Sequence, residues 1–170
     1  MTTSRRDCVH EAGHFYVAFL HNPARAVSIR MSPRVQTDPI TGEMYTCIGQ
    51  AVTLDPIDDN PRVILRIRAG GLAAESIVYN ESFQDLMSGP EVQFRIRTDT
   101  DNAKLDLERG RLTPTSEEEF ISFFWSVGFQ DAVAMMAHSQ EKLECIADYC
   151  QLNLARDILR EELVRNCRLW

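Results

Sequence analysis

Two histidines four residues apart, with a glutamate directly after the first, place the strongest constraint on how this chain folds. His10, Glu11 and His14 form the pattern H-E-x-x-H. Positions i and i+4 of an α-helix lie on one face, so both imidazoles can reach a single metal ion. Glu11 can take a proton from a water at that ion. The pattern predicts a helix that carries a hydrolytic metal centre; the alternative is a helix with two surface imidazoles.

The size and charge of the chain limit the classes of protein to which it can belong. Its 170 residues fit one domain, and its net charge of -7 argues against binding to nucleic acid or to an anionic membrane surface. No apolar stretch approaches the roughly 20 residues that span a bilayer. The first residues lack the apolar core of a signal peptide. We therefore expect a soluble, cytoplasmic protein without membrane insertion.

The cysteines point to the same kind of compartment. There are five of them, and none forms a C-x-x-C pair. In a chain of this size such cysteines are typical of reduced and mostly buried thiols. We therefore expect no disulfide framework among the cysteines, which are Cys8, Cys47, Cys145, Cys150 and Cys167.

The hydrophobic pattern predicts several helices and one small sheet, which is an α+β fold. Ser4 is the predicted N-cap of the first helix, with Asp7 at the capping-box position. Residues 81–98 are poorly patterned. The predicted strands cover 26–31 and 45–54. The predicted helices cover 4–20, 62–79, 98–110, 116–137 and 139–170.

A pair of adjacent glycines in the second helix predicts a close helix contact. Gly70 and Gly71 each cost a helix about 1 kcal/mol relative to alanine. A helix accepts that cost when another backbone packs against it. We expect the second helix to lie against the His-Glu helix at Gly70, Gly71 and Ala74.

A catalytic zinc usually has three protein ligands, so one ligand must come from outside the H-E-x-x-H pattern. His21 follows the histidine pair by seven positions, which does not match the metzincin spacing. His138 ends a predicted helix and is typical of a capping or surface residue. Acidic residues supply the other candidates, and the pattern alone does not choose among them: Glu75, Asp99 and Asp101.

Three segments of the chain together resemble one known family. Residues 8–15 read CVHEAGHF, residues 69–79 read AGGLAAESIVY, and residues 98–103 read TDTDNA. They are similar to the H-E-A-G-H helix, the G-G-x-A-A-E helix and the ligand aspartate of the zinc peptidase domain in the FtsH family of ATP-dependent proteases. The likeness covers roughly residues 6–110, whereas residues 115–170 match it in helical character.

This resemblance implies a fold and a metal site. The fold is a single FtsH-like peptidase domain over residues 1–170, mainly helical with a small β-sheet. The cofactor is Zn²⁺, bound by the two motif histidines. The family's spacing from an alanine, here Ala103, implies Asp99 as the third ligand, with Asp101 as the fallback. Glu75 is implied to be structural, holding a backbone group or a histidine in place.

The chain also departs from the family pattern. It contains no G-x-x-x-x-G-K-[ST] phosphate loop and none of the family's membrane helices, and Phe15 stands where a small residue is usual. We expect a zinc metalloendopeptidase without its own ATPase module, with Glu11 as the catalytic base. Its substrate is expected to be a peptide or unfolded protein that pairs with the strand edge near Cys47 to Val52.

Other functions fit the same residues. One is a non-catalytic relative that binds peptides or acts as a scaffold. Another is a helical zinc protease of a different type, in which another acid is the third ligand. A purely structural helical protein is the last. The sequence leaves open a homo-oligomer or a separate ATPase partner.

Overall fold

Helices surround one small antiparallel sheet. The structure is a computed structural model that describes residues 3–37, 42, 44–54, 60–88, 99–100, 102–105 and 116–170. The helices are α1 (Arg5–His21), α2 (Pro61–Tyr79), α3 (Phe83–Ser88), α4 (Glu117–Met136), α5 (Gln140–Leu152) and α6 (Arg160–Cys167). The strands are β1 (Ala26–Thr37), β2 (Met44–Thr53) and β3 (Asp157–Leu159). The predicted α+β class is confirmed.

Helix α1 is the central element, and it begins where the sequence predicts. The Ser4 side chain accepts a hydrogen bond from the backbone N–H of Asp7, and the Asp7 carboxylate accepts one from the Ser4 N–H at 2.8 Å. This capping box satisfies two helix-end donors. Most side chains from Cys8 to Phe19 are buried. The helix therefore forms the middle of the hydrophobic core.

The backbones of α1 and α2 touch at two glycines. A Cβ atom added to Gly13 would lie 2.1 Å from the carbonyl oxygen of Gly70 and 2.6 Å from the Cβ of Ala74. A Cβ atom added to Gly70 would lie 2.8 Å from the carbonyl oxygen of Gly13. Only glycine fits at such a distance. The predicted contact of α2 with the His-Glu helix is confirmed.

The sheet has the strand order β2-β1-β3, so β1 is its middle strand. Strand β1 pairs antiparallel with β2, with Ile29 opposite Ala51, and with β3, with Ile29 opposite Ile158. Ile29 and Ile158 are fully buried, and they anchor the sheet in the core. Both predicted strands are present, and β1 is longer than expected.

The prediction of one helix over residues 139–170 is wrong. Helix α5 ends at Leu152, and Ala155 adopts a left-handed backbone conformation with φ of 66°. The Ala155 N–H donates to the carbonyl oxygen of Met31 at 2.9 Å, and the chain then forms β3. Pairing with β1 outweighs the local helical pattern, because β3 places Ile158 in the core.

Two other stretches differ from the prediction or are described only in part. The poorly patterned stretch 81–98 contains α3, where the Ser82 hydroxyl and the Asp85 carboxylate cap the first turn and Leu86 is buried. Residues 89–98 lie outside the described part. The predicted helix over 98–110 is seen at 99–100 and 102–105, with its other residues outside the description.

Helix α4 covers the predicted range but contains a π-helical segment at Phe124–Phe129. Gly128 in this segment faces the α2 backbone, and a Cβ atom there would lie 3.0 Å from the carbonyl oxygen of Leu65. Among the described residues, no single helix is long and apolar enough to cross a membrane. Helices α4 and α5 together meet that length and composition, but they are bent by 95°.

The expectation of five reduced thiols is wrong for two of them. Cys145 of α5 and Cys167 of α6 form a disulfide, with their Cα atoms 5.6 Å apart. The sequence separation of 22 residues gave no sign of this pairing, because it depends on how the chain returns through β3 to place α6 beside α5. Cys8 and Cys150 are free and buried, as expected. The side chain of Cys47 lies outside the description.

The glycine contact predicts that Gly13→Ala destabilises the fold. Forcing a methyl group against a backbone carbonyl costs about 3 kcal/mol, at the upper end of overpacking penalties. That cost exceeds the gain in helix propensity of about 1 kcal/mol. Urea denaturation should therefore show a net loss of about 2 kcal/mol in the free energy of unfolding.

Gly128→Ala is the matched comparison, because its closest contact is looser. It should cost less than Gly13→Ala. If Gly13→Ala instead stabilised the protein, as it does at an exposed helical site, the close approach of α1 and α2 would be contradicted.

Candidate metal centre

Helix α1 brings the two motif histidines together. His10 and His14 lie one turn apart on the same face, and both are buried. Their ring centroids are 4.7 Å apart, and their Nε2 atoms are 3.1 Å apart. The H-E-x-x-H spacing thus does what the sequence predicted, because both Nε2 atoms point into one small volume.

Asp99 reaches the two histidines from the helical residues described at 99–100. Its Oδ2 atom lies 2.9 Å from His10 Nε2 and 3.2 Å from His14 Nε2. Ala103, four residues further on, is fully buried and fixes this segment against the core. The predicted third ligand therefore reaches the histidines. Asp101, the fallback ligand, lies outside the described residues.

The spacing of the three donor atoms is close to what a bound metal ion would need. Their mutual separations are 2.9, 3.1 and 3.2 Å. Ligands at about 2.0–2.1 Å from a tetrahedral ion, as is typical of zinc, lie about 3.3 Å from one another. His10, His14 and Asp99 therefore form a group that could hold a metal ion.

The outer nitrogen of each ring is held by a separate acceptor. His14 Nδ1 lies 2.7 Å from the backbone carbonyl oxygen of Ile67, and His10 Nδ1 lies 2.8 Å from Glu75 Oε1. A carbonyl oxygen only accepts, so His14 Nδ1 carries a proton and leaves Nε2 for the metal ion. Glu75, expected to hold a backbone group or a histidine, holds His10. Such contacts orient metal-binding histidines.

Arg6 and Glu81 form a further layer of hydrogen bonds beyond Glu75. Arg6 Nε donates to Glu75 Oε2 at 2.5 Å, and Arg6 Nη1 donates to Glu81 Oε1 at 3.1 Å. Arg6 Nη2 donates to the other oxygen of Glu81. Neither Arg6 nor Glu81 was predicted from the sequence. Arg6 precedes His10 by one helical turn, and that spacing was the signal that could have found it.

The second glycine of the pair, Gly71, leaves space for the ring of His10. A Cβ atom at this position would lie 2.5 Å from Cε1 and 2.6 Å from Nε2 of His10. The imidazole therefore packs flat against the backbone of α2. Glu75 follows Gly71 by one turn on the same face. Helix α2 thus provides both the space for the His10 ring and the acceptor that orients it.

Glu11 contacts the sheet rather than α2. Its Oε2 atom accepts a hydrogen bond from the backbone N–H of Ala51 in β2 at 2.6 Å. A Cβ atom added to Gly49 would lie 2.8 Å from Glu11 Cγ, so the strand backbone packs directly on this side chain. Strand β2 therefore fixes the position of the predicted catalytic base.

Electrostatic coupling shifts the pKa values of the three candidate ligands. Burial alone would lower the pKa of His10, but its hydrogen bonds with Asp99 and Glu75 outweigh burial and raise that pKa from 6.5 to about 10. Burial also opposes the shift at His14, where the Asp99 carboxylate raises the pKa. Burial would raise the pKa of Asp99, but the two imidazoles hold it well below its ordinary value.

Glu11 has a pKa above its ordinary value. Burial is the largest cause, and the Asp99 carboxylate adds to it. The imidazoles of His14 and His10 and the hydrogen bond from Ala51 act in the opposite direction. A carboxylate with a raised pKa is a better proton acceptor than an ordinary one, which suits a general base.

Comparison with known proteins does not assign this chain to a family. No protein-family model matches the chain, and no curated protein is significantly similar to it. The likeness to the FtsH peptidase domain therefore rests on the three sequence motifs.

The raised pKa of His10 predicts a pH-dependent stability for chelator-treated protein. The unfolded chain has His10 at about 6.5, and the folded chain has it at about 10. The stabilisation from protonated His10 is therefore complete below pH 6.5 and is lost as the pH rises through about 10. Thermal melting should show this decline, and metal affinity should rise over the same range because fewer protons compete with the cation.

His10→Gln should remove this part of the pH dependence, whereas a control substitution of the exposed His138 should leave it unchanged. A wild-type melting temperature that rises steadily between pH 6.5 and 10 would contradict the assignment.

Asp99→Asn and Asp101→Asn form a second, paired test. Asp99→Asn removes the carboxylate that contacts both imidazoles. Its metal affinity should fall by more than about 100-fold, because mutating a residue that only supports a ligand already costs up to about 100-fold. Asp101→Asn should bind metal like the wild type. Competition with a chromogenic chelator measures both affinities. The reverse result would transfer the third-ligand role to Asp101.

Proposed function

We propose that this chain is a zinc-dependent metalloendopeptidase with the mainly helical zinc-peptidase fold of the FtsH type. The convergence of His10, His14 and Asp99 at donor separations close to those of a tetrahedral ion carries the proposal. Glu11 lies next to His10 in the chain and is held against β2. Two imidazoles, one carboxylate and an adjacent glutamate form a set of side chains that can support hydrolysis at a catalytic zinc.

The donor set fits Zn²⁺, the cofactor that the family resemblance implies. Catalytic zinc sites commonly take three protein ligands of the histidine and carboxylate type and keep one open position. Zn²⁺ held by these residues would lower the pKa of a water toward 7 and polarise a carbonyl group. The hydrogen bonds of His10 with Glu75 and of His14 with Ile67 hold the outer nitrogens, so that each Nε2 atom would be available to the ion.

Glu11 supplies the proton transfer. The Ala51 N–H holds Glu11 Oε2, which leaves Oε1 to accept a proton from the attacking water. Glu11 then delivers the proton to the amine of the leaving product, so that the peptide bond is broken without a charged leaving group.

The outer edge of β2 supports extended peptides as substrates. Strand β2 has β1 on one side, and it has no partner strand on the other side among the described residues. The Ala51 N–H points away from β1 and toward Glu11, so this edge runs past the catalytic base. A peptide in an extended conformation could add to the edge as a further strand. Unfolded proteins and flexible peptides have such segments.

Glu11→Gln tests the proposal. Glutamine keeps the hydrogen bond from the Ala51 N–H and leaves the metal ligands intact, but it cannot accept the proton. Zinc content should stay at the wild-type level, whereas cleavage of a fluorescently labelled unfolded protein should fall by about 10²–10⁴-fold. Zinc content is measured by atomic absorption on the same samples.

The exposed Glu141→Gln on α5 is the control, and it should cleave like the wild type. Retained cleavage in Glu11→Gln would remove Glu11 from the mechanism. If the wild type binds zinc and peptides but never cleaves them, the non-catalytic peptide-binding relative becomes the better description.

A further inference from the structure

We propose that Arg6 is a positioning residue for the metal centre, which fixes Glu75 so that His10 presents its Nε2 atom to the ion. The inference rests on the proposed metal site, and it adds a residue that the H-E-x-x-H motif does not contain. Arg6 does not touch the donor atoms. It acts through the buried carboxylate of Glu75.

The geometry forms a continuous relay. Glu75 is bonded at both oxygens, with Oε1 2.8 Å from His10 Nδ1 and Oε2 2.5 Å from Arg6 Nε. Arg6 and His10 are one turn apart on α1, and Glu75 from α2 lies between them. The orientation of the carboxylate is therefore set from both ends. A rotation of Glu75 toward another donor would break its contact with His10.

Burial makes Glu75 dependent on Arg6. Glu75 is only 2% exposed, so its negative charge cannot be stabilised by bulk water. A buried carboxylate that loses its cationic partner is strongly destabilised. Arg6 supplies a permanent positive charge directly at Oε2. Removing this charge leaves Glu75 Oε2 without its cationic partner, so that the carboxylate rotates and disturbs the orientation of His10.

Arg6 is itself held in place by the end of α2. Asn80 adopts a left-handed conformation and turns the chain, so that Glu81 faces back toward Arg6. The Ser76 hydroxyl donates to the carbonyl oxygen of Glu81 at 2.6 Å, which fixes this turn. The guanidinium also lies over the ring of Tyr79, 5.0 Å from its centroid. These contacts leave the arginine little freedom to move.

Arg5 provides a matched control. It precedes Arg6 by one residue, carries the same charge and donates to Asp148 at 2.9 Å. That ion pair is exposed and does not involve Glu75. Arg5→Met therefore removes the same charge from the same helical turn, while the relay to His10 stays intact.

The experiment compares Arg6→Met, Arg6→Lys and Arg5→Met with the wild type. Co²⁺ and Zn²⁺ affinities are measured by competition with a chromogenic chelator, and the visible absorption of the Co²⁺ form reports the ligand geometry. We expect Arg6→Met to bind about 10–100-fold more weakly, with a changed Co²⁺ spectrum. Arg6→Lys should lie between, because lysine keeps the charge but lacks the planar fork. Arg5→Met should match the wild type.

A second measurement does not require any bound ion. The His10 Nδ1–H proton, held by Glu75, should give a slowly exchanging proton NMR resonance in chelator-treated wild type and in Arg5→Met. We expect its exchange with water to accelerate in Arg6→Met. If the wild type binds neither Co²⁺ nor Zn²⁺, the proposed function fails, and this resonance still decides the role of Arg6.

Wild-type metal affinity and an unchanged Co²⁺ spectrum in Arg6→Met would overturn the inference, as would an unchanged Nδ1–H exchange rate. Circular dichroism establishes that each variant is folded. If Arg6→Met does not fold, Glu81→Gln replaces it, because this substitution removes only the outer anchor of the arginine. It should then shift affinity and exchange in the same direction by a smaller factor, and no shift would overturn the inference.

Discussion

The contact between the backbones of α1 and α2 at Gly13 and Gly70 is the constraint on which the rest of the structure depends. It brings the helices closer than side chains normally allow. At this distance the His10 ring fits against Gly71, and Glu75 comes within hydrogen-bonding reach of that ring. A wider separation would fill the gap with side chains and leave the imidazole without its acceptor. The same contact that packs the core therefore orients the imidazole of a candidate metal ligand.

The centre lies between two supports of different kinds. One support is helix α2, where Glu75 and a backbone carbonyl hold the outer nitrogens of the histidines. The other support is strand β2, where the N–H of Ala51 holds Glu11. The candidate metal ligands and the predicted catalytic base are thus held by separate elements.

Much of the fold followed from local pattern, and its failures share one cause. The capping box at Ser4, the extent of α2 and its contact at Gly70 were all predictable, because helix periodicity, end signals and small residues are local properties. The break after α5 and the disulfide of Cys145 with Cys167 were not. Both depend on partners distant in sequence, and residues near the break carry a helical pattern that pairing with β1 overrides.

The sequence alone determined that His10 and His14 share a helical face, because a period of 3.6 residues fixes this wherever the helix lies. It also offered three acidic residues as the remaining ligand without a physical basis for choosing among them; only the family likeness favoured Asp99. The tertiary structure brought Asp99 to the imidazoles and placed Glu75 behind one of them. Those roles are decided by which atoms converge after packing, and that depends on the relative placement of whole elements rather than on any local pattern.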